Sequence, residues 1–169
     1  MPRVESFAPL VGKDPKILIL GSMPGVKSLE AQQYYAHPRN GFWPIMAELF
    51  AVTWHESYPE RVKQLQQLPL VLWDVLGSCD RQGSLDADIR SDQLEVNGID
   101  RLLQQHAEIS HIAFNGATAE KYFRQRVAKQ VPNIDRLSLR RLPSTSPAHA
   151  SINFQQKLAE WRWILSAIE

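Results

Sequence analysis

KILILG, Lys16 to Gly21, continued directly by SMPG, Ser22 to Gly25, is the stretch from which the fold is read. A short leucine-rich and β-branched run that stops at a glycine marks a central strand buried on both faces. Beyond it lies SMPGVKSLEAQQYYAHPRN, Ser22 to Asn40. Connections longer than about 12–15 residues in a compact domain are usually functional or disordered, and the aromatic rings here argue against disorder. Three later runs repeat the strand pattern: LPLVLWDVL, Leu68 to Leu76; HIAFNG, His111 to Gly116; and DRLSLRRLP, Asp135 to Pro143.

Helical spacing fills the intervals. FWPIMAELF follows Asn40, YPERVKQLQQL puts Val62, Leu65 and Leu68 on one face, and NGIDRLLQQHAEI reads as a capped amphipathic helix from Asn97. ATAEKYFRQRVAKQ gathers basic residues toward its C-terminal end, where the helix dipole favours them, and FQQKLAEWRWILSAI closes the chain. Ahead of Lys16, Pro2, Pro9 and Pro15 predict an irregular arm. Alternating strands and helices predict an α/β fold, a three-layer α/β/α sandwich around a central, mostly parallel four-stranded sheet. One domain is expected over residues 1–169, with no internal repeat or linker. Ligands of such sheets bind outside the carboxyl ends of the strands, so GSMPG, WDVLGSC, FNG and LPSTSP are expected on one rim.

Composition narrows the function. Lys and Arg number 19 against 18 Asp and Glu, a net charge of +1, so no basic tail announces a polyanionic partner. The single Cys79 excludes an intrachain disulfide and thiolate metal cages, and makes a reducing cytoplasm the expected location. No run of about 18 apolar residues occurs and the first residues lack a signal-peptide core, so neither membrane insertion nor secretion is expected. A monomer without metal or organic cofactor is the expectation.

The rim motifs suit a flat, anionic ligand. GSMPG lets the backbone turn sharply and approach a ligand closely, yet it is neither a P-loop nor a GxGxxG fingerprint, which removes support from nucleoside triphosphate chemistry. QYYAHPRNGFW, Gln33 to Trp43, combines rings able to stack on a base with Arg39 and with Asn40, whose carboxamide can orient a water. Trp43 equally fits the buried start of a helix, whereas for Tyr34, Tyr35 and Phe42 contact with a ligand is the expectation. LPSTSPAHAS, Leu142 to Ser151, offers hydroxyl and backbone donors for phosphate, and its His149 is a contact, an acid or a surface residue.

GSMPG, AHPRNGFW, LWDVLGSC, IAFNG and LPSTSPAHA, in this order from Ile17 to about His149, resemble the uracil-DNA glycosylase superfamily, in particular its mismatch-specific and hypoxanthine-DNA glycosylase branches. The mismatch-specific branch usually reads GINPG at the first motif, and Met23 stands here where its water-positioning asparagine would be. In the hypoxanthine branch, which also reads GSMPG, the resemblance implies that Asn40 takes the catalytic role. Uracil-specific members begin the last motif with a histidine that stabilises the departing base, and here Leu142 occupies that place. Asp74 aligns with their base-reading asparagine. A carboxylate there accepts from an N–H, and a protonated carboxyl donates to a carbonyl.

The resemblance implies a repair enzyme acting on double-stranded DNA that contains a damaged or mismatched base, hypoxanthine first and uracil in mismatches second. Ser22, Met23, Tyr35, Phe42 and Asp74 would hold the everted base. Arg39, Ser144, Thr145, Ser146, Pro147 and His149 would hold the DNA, Pro147 or Ala148 acting as wedge, with Lys121, Arg124, Arg140 and Arg141 as further basic candidates. Two other readings stand beside it: a non-catalytic module of the same fold that binds damaged DNA, and a magnesium-dependent phosphoesterase built on Asp74, Asp80, Asp86 and Asp88.

Overall fold

Apolar periodicity sorts the chain into strands and helices largely where the sequence predicts them, and the additions lie at the N-terminus, in the expected loop Ser22 to Asn40, which contains a short helix over Val26–Ala31, and beyond Asp74. The computed structural model describes residues 2–169. In chain order the elements are β1 (Arg3–Glu5), β2 (Leu10–Val11), β3 (Ile17–Gly21), α1 (Val26–Ala31), α2 (Phe42–Phe50), α3 (Tyr58–Leu65), β4 (Leu70–Asp74) and β5 (Leu76–Asp80). There follow β6 (Leu94–Val96), α4 (Ile99–Gln105), β7 (His111–Asn115), α5 (Ala117–Tyr122), β8 (Ser138–Leu142), α6 (Phe154–Trp161) and α7 (Trp163–Ala167).

The main sheet has five strands in the order β2-β4-β3-β7-β8. β3 lies parallel between β4 and β7, with Ile17 opposite Leu70 on one side and His111 on the other. β8 extends the parallel set, and β2 caps the far edge antiparallel to β4. Strand alternation divides the interior in two. Leu18, Leu20, Val71, Ile112 and Phe114 pack with α4 and α5 on one face. Ile17, Ile19, Leu70, Leu72 and Ala113 pack with α2, α6 and α7 on the other. The result is the expected α/β/α sandwich. Among the described residues no helix is long and apolar enough to cross a membrane.

Four expectations are corrected. The four parallel strands are joined by a fifth, because Leu10 and Val11 in the supposedly irregular arm pair with Leu72 and Val71. The predicted strand Leu68 to Leu76 ends at Asp74. At Val75 the chain leaves the main sheet, and β5 forms a separate antiparallel sheet, β1-β5-β6. Asn97 does not cap α4, whose N-cap is Gly98. Its amide donates instead to the Asp74 carbonyl at 2.9 Å, the Leu76 carbonyl at 3.2 Å and Ser6 Oγ at 3.2 Å, which pins the passage between the two sheets. The helix expected from Ala117 through Gln130 is α-helical only to Tyr122, then widens into a π-type turn over Phe123–Val127.

Candidate active site

The parallel strands deliver their carboxyl ends side by side. Register pairs Gly21 with Asp74 across β3 and β4, and Asn115 with Leu142 across β7 and β8. The segments leaving these ends enclose a cavity of about 490 Å³. Its walls come from residues 21–28, from Tyr34, Tyr35, His37 and Asn40, from Asp74, from residues 84–86, from residues 115–118 and from residues 144–149.

Asp74 forms a floor with an open valence. Its side chain is buried, and Oδ2 has no hydrogen-bond partner. Burial is the main reason that its pKa rises from 3.8 to about 7. The like charge of Asp86 adds to the rise, and the Arg81 guanidinium opposes it. Beside it the buried Tyr35 hydroxyl is also without a partner. Burial and then the Asp74 charge hold that phenol above its ordinary range, so it stays an O–H donor. Glycine at position 21 is what makes room: a methyl there would meet Asp74 Oδ1 at 2.5 Å and Tyr35 Oη at 3.1 Å.

Tyr35 reaches this place through a left-handed backbone, φ 53°, which is uncommon for a residue with a bulky side chain. Its ring stacks on Phe42 with centroids 4.3 Å apart and planes 25° from parallel. Phe42 itself is fully buried in the core beneath α2 and is not on the cavity wall. The expectation that Phe42 stacks on a ligand is corrected in this way: its ring backs Tyr35, and Tyr35 faces the cavity. Trp43, whose Nε1 donates to the Tyr34 carbonyl at 2.9 Å, likewise belongs to the core.

Asn40 stands half-buried on the wall, just ahead of α2. Oδ1 accepts the Phe42 N–H at 3.0 Å, which fixes the side chain while leaving a second lone pair and the amide N–H groups. The next residue ties this wall to the last loop, Gly41 N–H donating to the Thr145 carbonyl at 2.9 Å.

That last loop is held by a clamp the sequence did not announce. Asn115 Nδ2 donates to Thr145 Oγ1 at 3.0 Å, and Asn115 Oδ1 accepts the Thr145 N–H at 2.9 Å. Lys157 Nζ reaches the Ser146 carbonyl at 3.3 Å, and Trp161 Nε1 the Pro143 carbonyl at 2.9 Å. Ser144, Ser146, Pro147 and His149 are thereby presented on the rim, whereas Thr145 is buried.

Residues 81–89, between β5 and β6, close the opposite approach to GSMPG. Ser22 Oγ donates to Asp86 Oδ1 at 2.8 Å, the Val26 N–H to Ser84 Oγ at 2.8 Å, and Arg81 Nη2 to the Pro24 carbonyl. Arg81 is 1% exposed, and its Nε and Nη1 have no partner. This is a buried cation under the first motif.

The sequence model of the Uracil DNA glycosylase superfamily matches residues 8–165. The chain belongs to that superfamily. A hypoxanthine DNA glycosylase of Methanosarcina barkeri is 31% identical over 119 residues, covering 70% of this chain and 74% of the relative. Its namesake in Methanosarcina acetivorans is 32% identical over the same length, with the same coverage. A solution NMR structure of a "putative Uracil DNA glycosylase" from Methanosarcina acetivorans superposes with a TM-score of 0.75 at 27% identity, covering 97% of this chain and 99% of that one.

In this glycosylase the residues singled out from sequence fall into three groups. Ser22, Met23, Tyr35, Asn40, Asp74, Ser144, Thr145, Ser146, Pro147 and His149 meet at one cavity. Arg39 is exposed beside it, and its backbone N–H is held by His37 Nδ1 at 3.0 Å. The rest lie elsewhere. Arg124 and Arg141 each sit 3.2 Å from Glu120, Arg140 lies 3.9 Å from Glu160, and none of them lines the cavity. Leu142 is fully buried in the core, so no group projects into the cavity from that position. Asp80 and Asp88 do not join Asp74 and Asp86 on its wall, and among the described residues no cluster of three ligating side chains fits a metal ion.

Sequence reasoning missed Asn115, Arg81 and Ser84 as parts of the site and named Asp86 only for the magnesium reading. Asn115 had a usable signal, a polar residue ending an otherwise apolar strand. The other three stand in a polar loop whose composition resembles any solvated turn.

Proposed function

We propose that this DNA N-glycosylase removes a deaminated base, hypoxanthine first and uracil in mismatches second, from double-stranded DNA and leaves an abasic site. The observation that carries the reading is a single cavity in which a buried carboxyl with an unpartnered oxygen, Asp74, and a fixed carboxamide, Asn40, stand on neighbouring walls.

Deamination exchanges an exocyclic amine for a carbonyl. A carboxyl that keeps its proton near neutral pH donates its O–H to that carbonyl while its other oxygen accepts from an N–H, so protonated Asp74 pairs with both O6 and N1–H of hypoxanthine. Guanine also carries O6, but it is held in the duplex by stronger pairing, and extraction costs least for weakly paired bases. Tyr35 supplies the stacking face. Its phenol stands next to Asp74 as a second donor.

Cleavage of the glycosidic bond places positive charge on the sugar and negative charge on the base. Asn40 is no Brønsted base near neutral pH, so its part is to hold the attacking water, while Ser144, Ser146 and Arg39 grip flanking phosphates. A protonated Asp74 stabilises the departing base through the same hydrogen bond that recognises it, and backbone N–H groups at Ser22 and Met23 stand on the same wall.

Single-turnover assays on duplexes carrying inosine, uracil or thymine test the reading, with alkali revealing abasic sites. Inosine is expected to be cut fastest, with Asn40→Ala slower by about a thousandfold, the scale of a lost transition-state contact. The rate is expected to fall as pH rises through about 7 and the Asp74 proton is lost. Asp74→Asn, which keeps a donor without a titrating proton, flattens that limb. A rate that climbs through the same window would assign the carboxylate, accepting from N1–H. Full activity in Asn40→Ala would remove that residue from the mechanism.

A further inference from the structure

Among the described residues the large apolar side chains left in water are Val26 at 37% exposure, Leu85 at 53% and Phe154 at 37%. Isolated exposed apolar residues are ordinary, but Val26 and Leu85 are not scattered: both line the cavity, on segments bonded to each other. The peptide on either side of Leu85 is tied down. Ser84 Oγ accepts the Val26 N–H at 2.8 Å, Asp86 Oδ1 accepts from Ser22 Oγ at 2.8 Å, and the Leu85 carbonyl accepts the Asp88 N–H at 3.0 Å. Behind them Arg81 anchors the loop to the Pro24 carbonyl from within the core. The loop is rigid at its base and apolar at its tip.

An enzyme that takes a nucleotide out of a duplex leaves a gap in the stack, and apolar side chains such as leucine fill gaps of that kind. Pro147 and Ala148 on the other loop are small. We propose that Leu85, seconded by Val26, is the side chain that enters the duplex and occupies the space vacated by the everted nucleotide, with exposed Lys27 beside it for a flanking phosphate. The inference rests on the reading of the cavity as a flipped-base pocket. It makes residues 81–89 a DNA-binding wall. Because the loop is already held in place, little ordering is required when DNA binds.

The test compares inosine in a duplex with inosine in the same strand unpaired, in single-turnover excision, together with the fluorescence of a stacking-sensitive base analogue placed next to the lesion. Leu85→Ala is expected to slow excision from the duplex by about tenfold and to lower the fluorescence rise on binding, with the unpaired strand changed by less than about twofold, since no stack has to be opened there. Leu85→Phe restores the duplex rate. Val26→Ala shows the smaller loss of the same kind. Unchanged duplex cleavage and fluorescence in Leu85→Ala overturn the proposal. So do equal losses on both substrates, which would mark a structural role, and so does a duplex-specific loss confined to Pro147→Gly. If the parent chain cut no inosine strand at all, the reading of the pocket itself would fall, a result distinct from these.

Discussion

The loop of residues 144–149 and the loop of residues 81–89 close the same cavity, yet their main fastenings differ in kind. The first hangs from the end of the parallel sheet chiefly by a neutral, reciprocal pair of hydrogen bonds between Asn115 and Thr145, with Lys157 Nζ on the Ser146 carbonyl as its charged tie. The second hangs from the small antiparallel sheet, and its fastenings are ionic: a buried guanidinium on the Pro24 carbonyl and a carboxylate on Ser22. Both Asn115 amide atoms are satisfied. Two nitrogens of Arg81, Asp74 Oδ2 and the Tyr35 hydroxyl are not. A neutral clamp in a dry place costs little to keep. A buried charge with spare donors is a standing expense unless it serves the site.

The largest effect expected on the ionic side is the pH dependence of stability. Asp74 titrates near 7 in the folded chain and at 3.8 ordinarily, so its contribution is fully present below about pH 4 and is lost as pH rises through 7. Asp74→Asn removes that loss. Urea denaturation should find the variant more stable than the parent above pH 8, by on the order of 4 kcal/mol as an upper bound, and not below pH 4. A constant difference at all pH values would mean that Asp74 is not the group responsible.

Arg81→Ala comes next, with a loss of about 3 kcal/mol in the same measurement, because the Pro24 carbonyl and the neighbouring Asp86 lose a buried cation. Arg81→Met preserves the packing stem, so it separates charge from volume. On the neutral side, Asn115→Ala should cost about 2 kcal/mol by stripping both partners from Thr145, and hydrogen exchange at the Thr145 N–H should report the release. Thr145→Val, which removes a single side-chain bond, should cost about 1 kcal/mol. If the two asparagine-clamp variants proved as damaging as Arg81→Ala, the contrast between the loops would fail. Smallest of all is the salt response of DNA binding. Three of the five arginine and lysine candidates for a basic strip are paired with Glu120 or Glu160, so the slope should correspond to fewer than about eight phosphate contacts.

The neutral loop was the legible one. LPSTSP follows a strand with the periodicity of a buried element, so its place on the rim follows from a general rule about parallel sheets. Asp74 was legible as the polar residue inside the apolar run LPLVLWDVL, and Asn40 as the carboxamide in a segment rich in rings, with both roles supplied by the family resemblance. Tyr35 could be named but not Phe42's place behind it, since an aromatic residue at a helix start faces core or ligand according to the packing of α2. The arm before Lys16 looked irregular because prolines hide short strands, and only pairing with β4 and β5 makes them strands.

By itself the sequence determined the alternation of strands and helices, the carboxyl-end rim and the family motifs along it. These are all consequences of local periodicity and of residue types at strand ends, which neighbours in the chain are enough to specify. Only the tertiary structure decided that β5 leaves the main sheet at Val75, that Arg81 is sealed beneath GSMPG, and that Leu85 is left in water at the cavity mouth. Burial and hydrogen-bond partnership are properties of segments that meet across the fold. Arg81 is separated from Pro24 by 57 residues and Thr145 from Asn115 by 30, and no local pattern records such meetings.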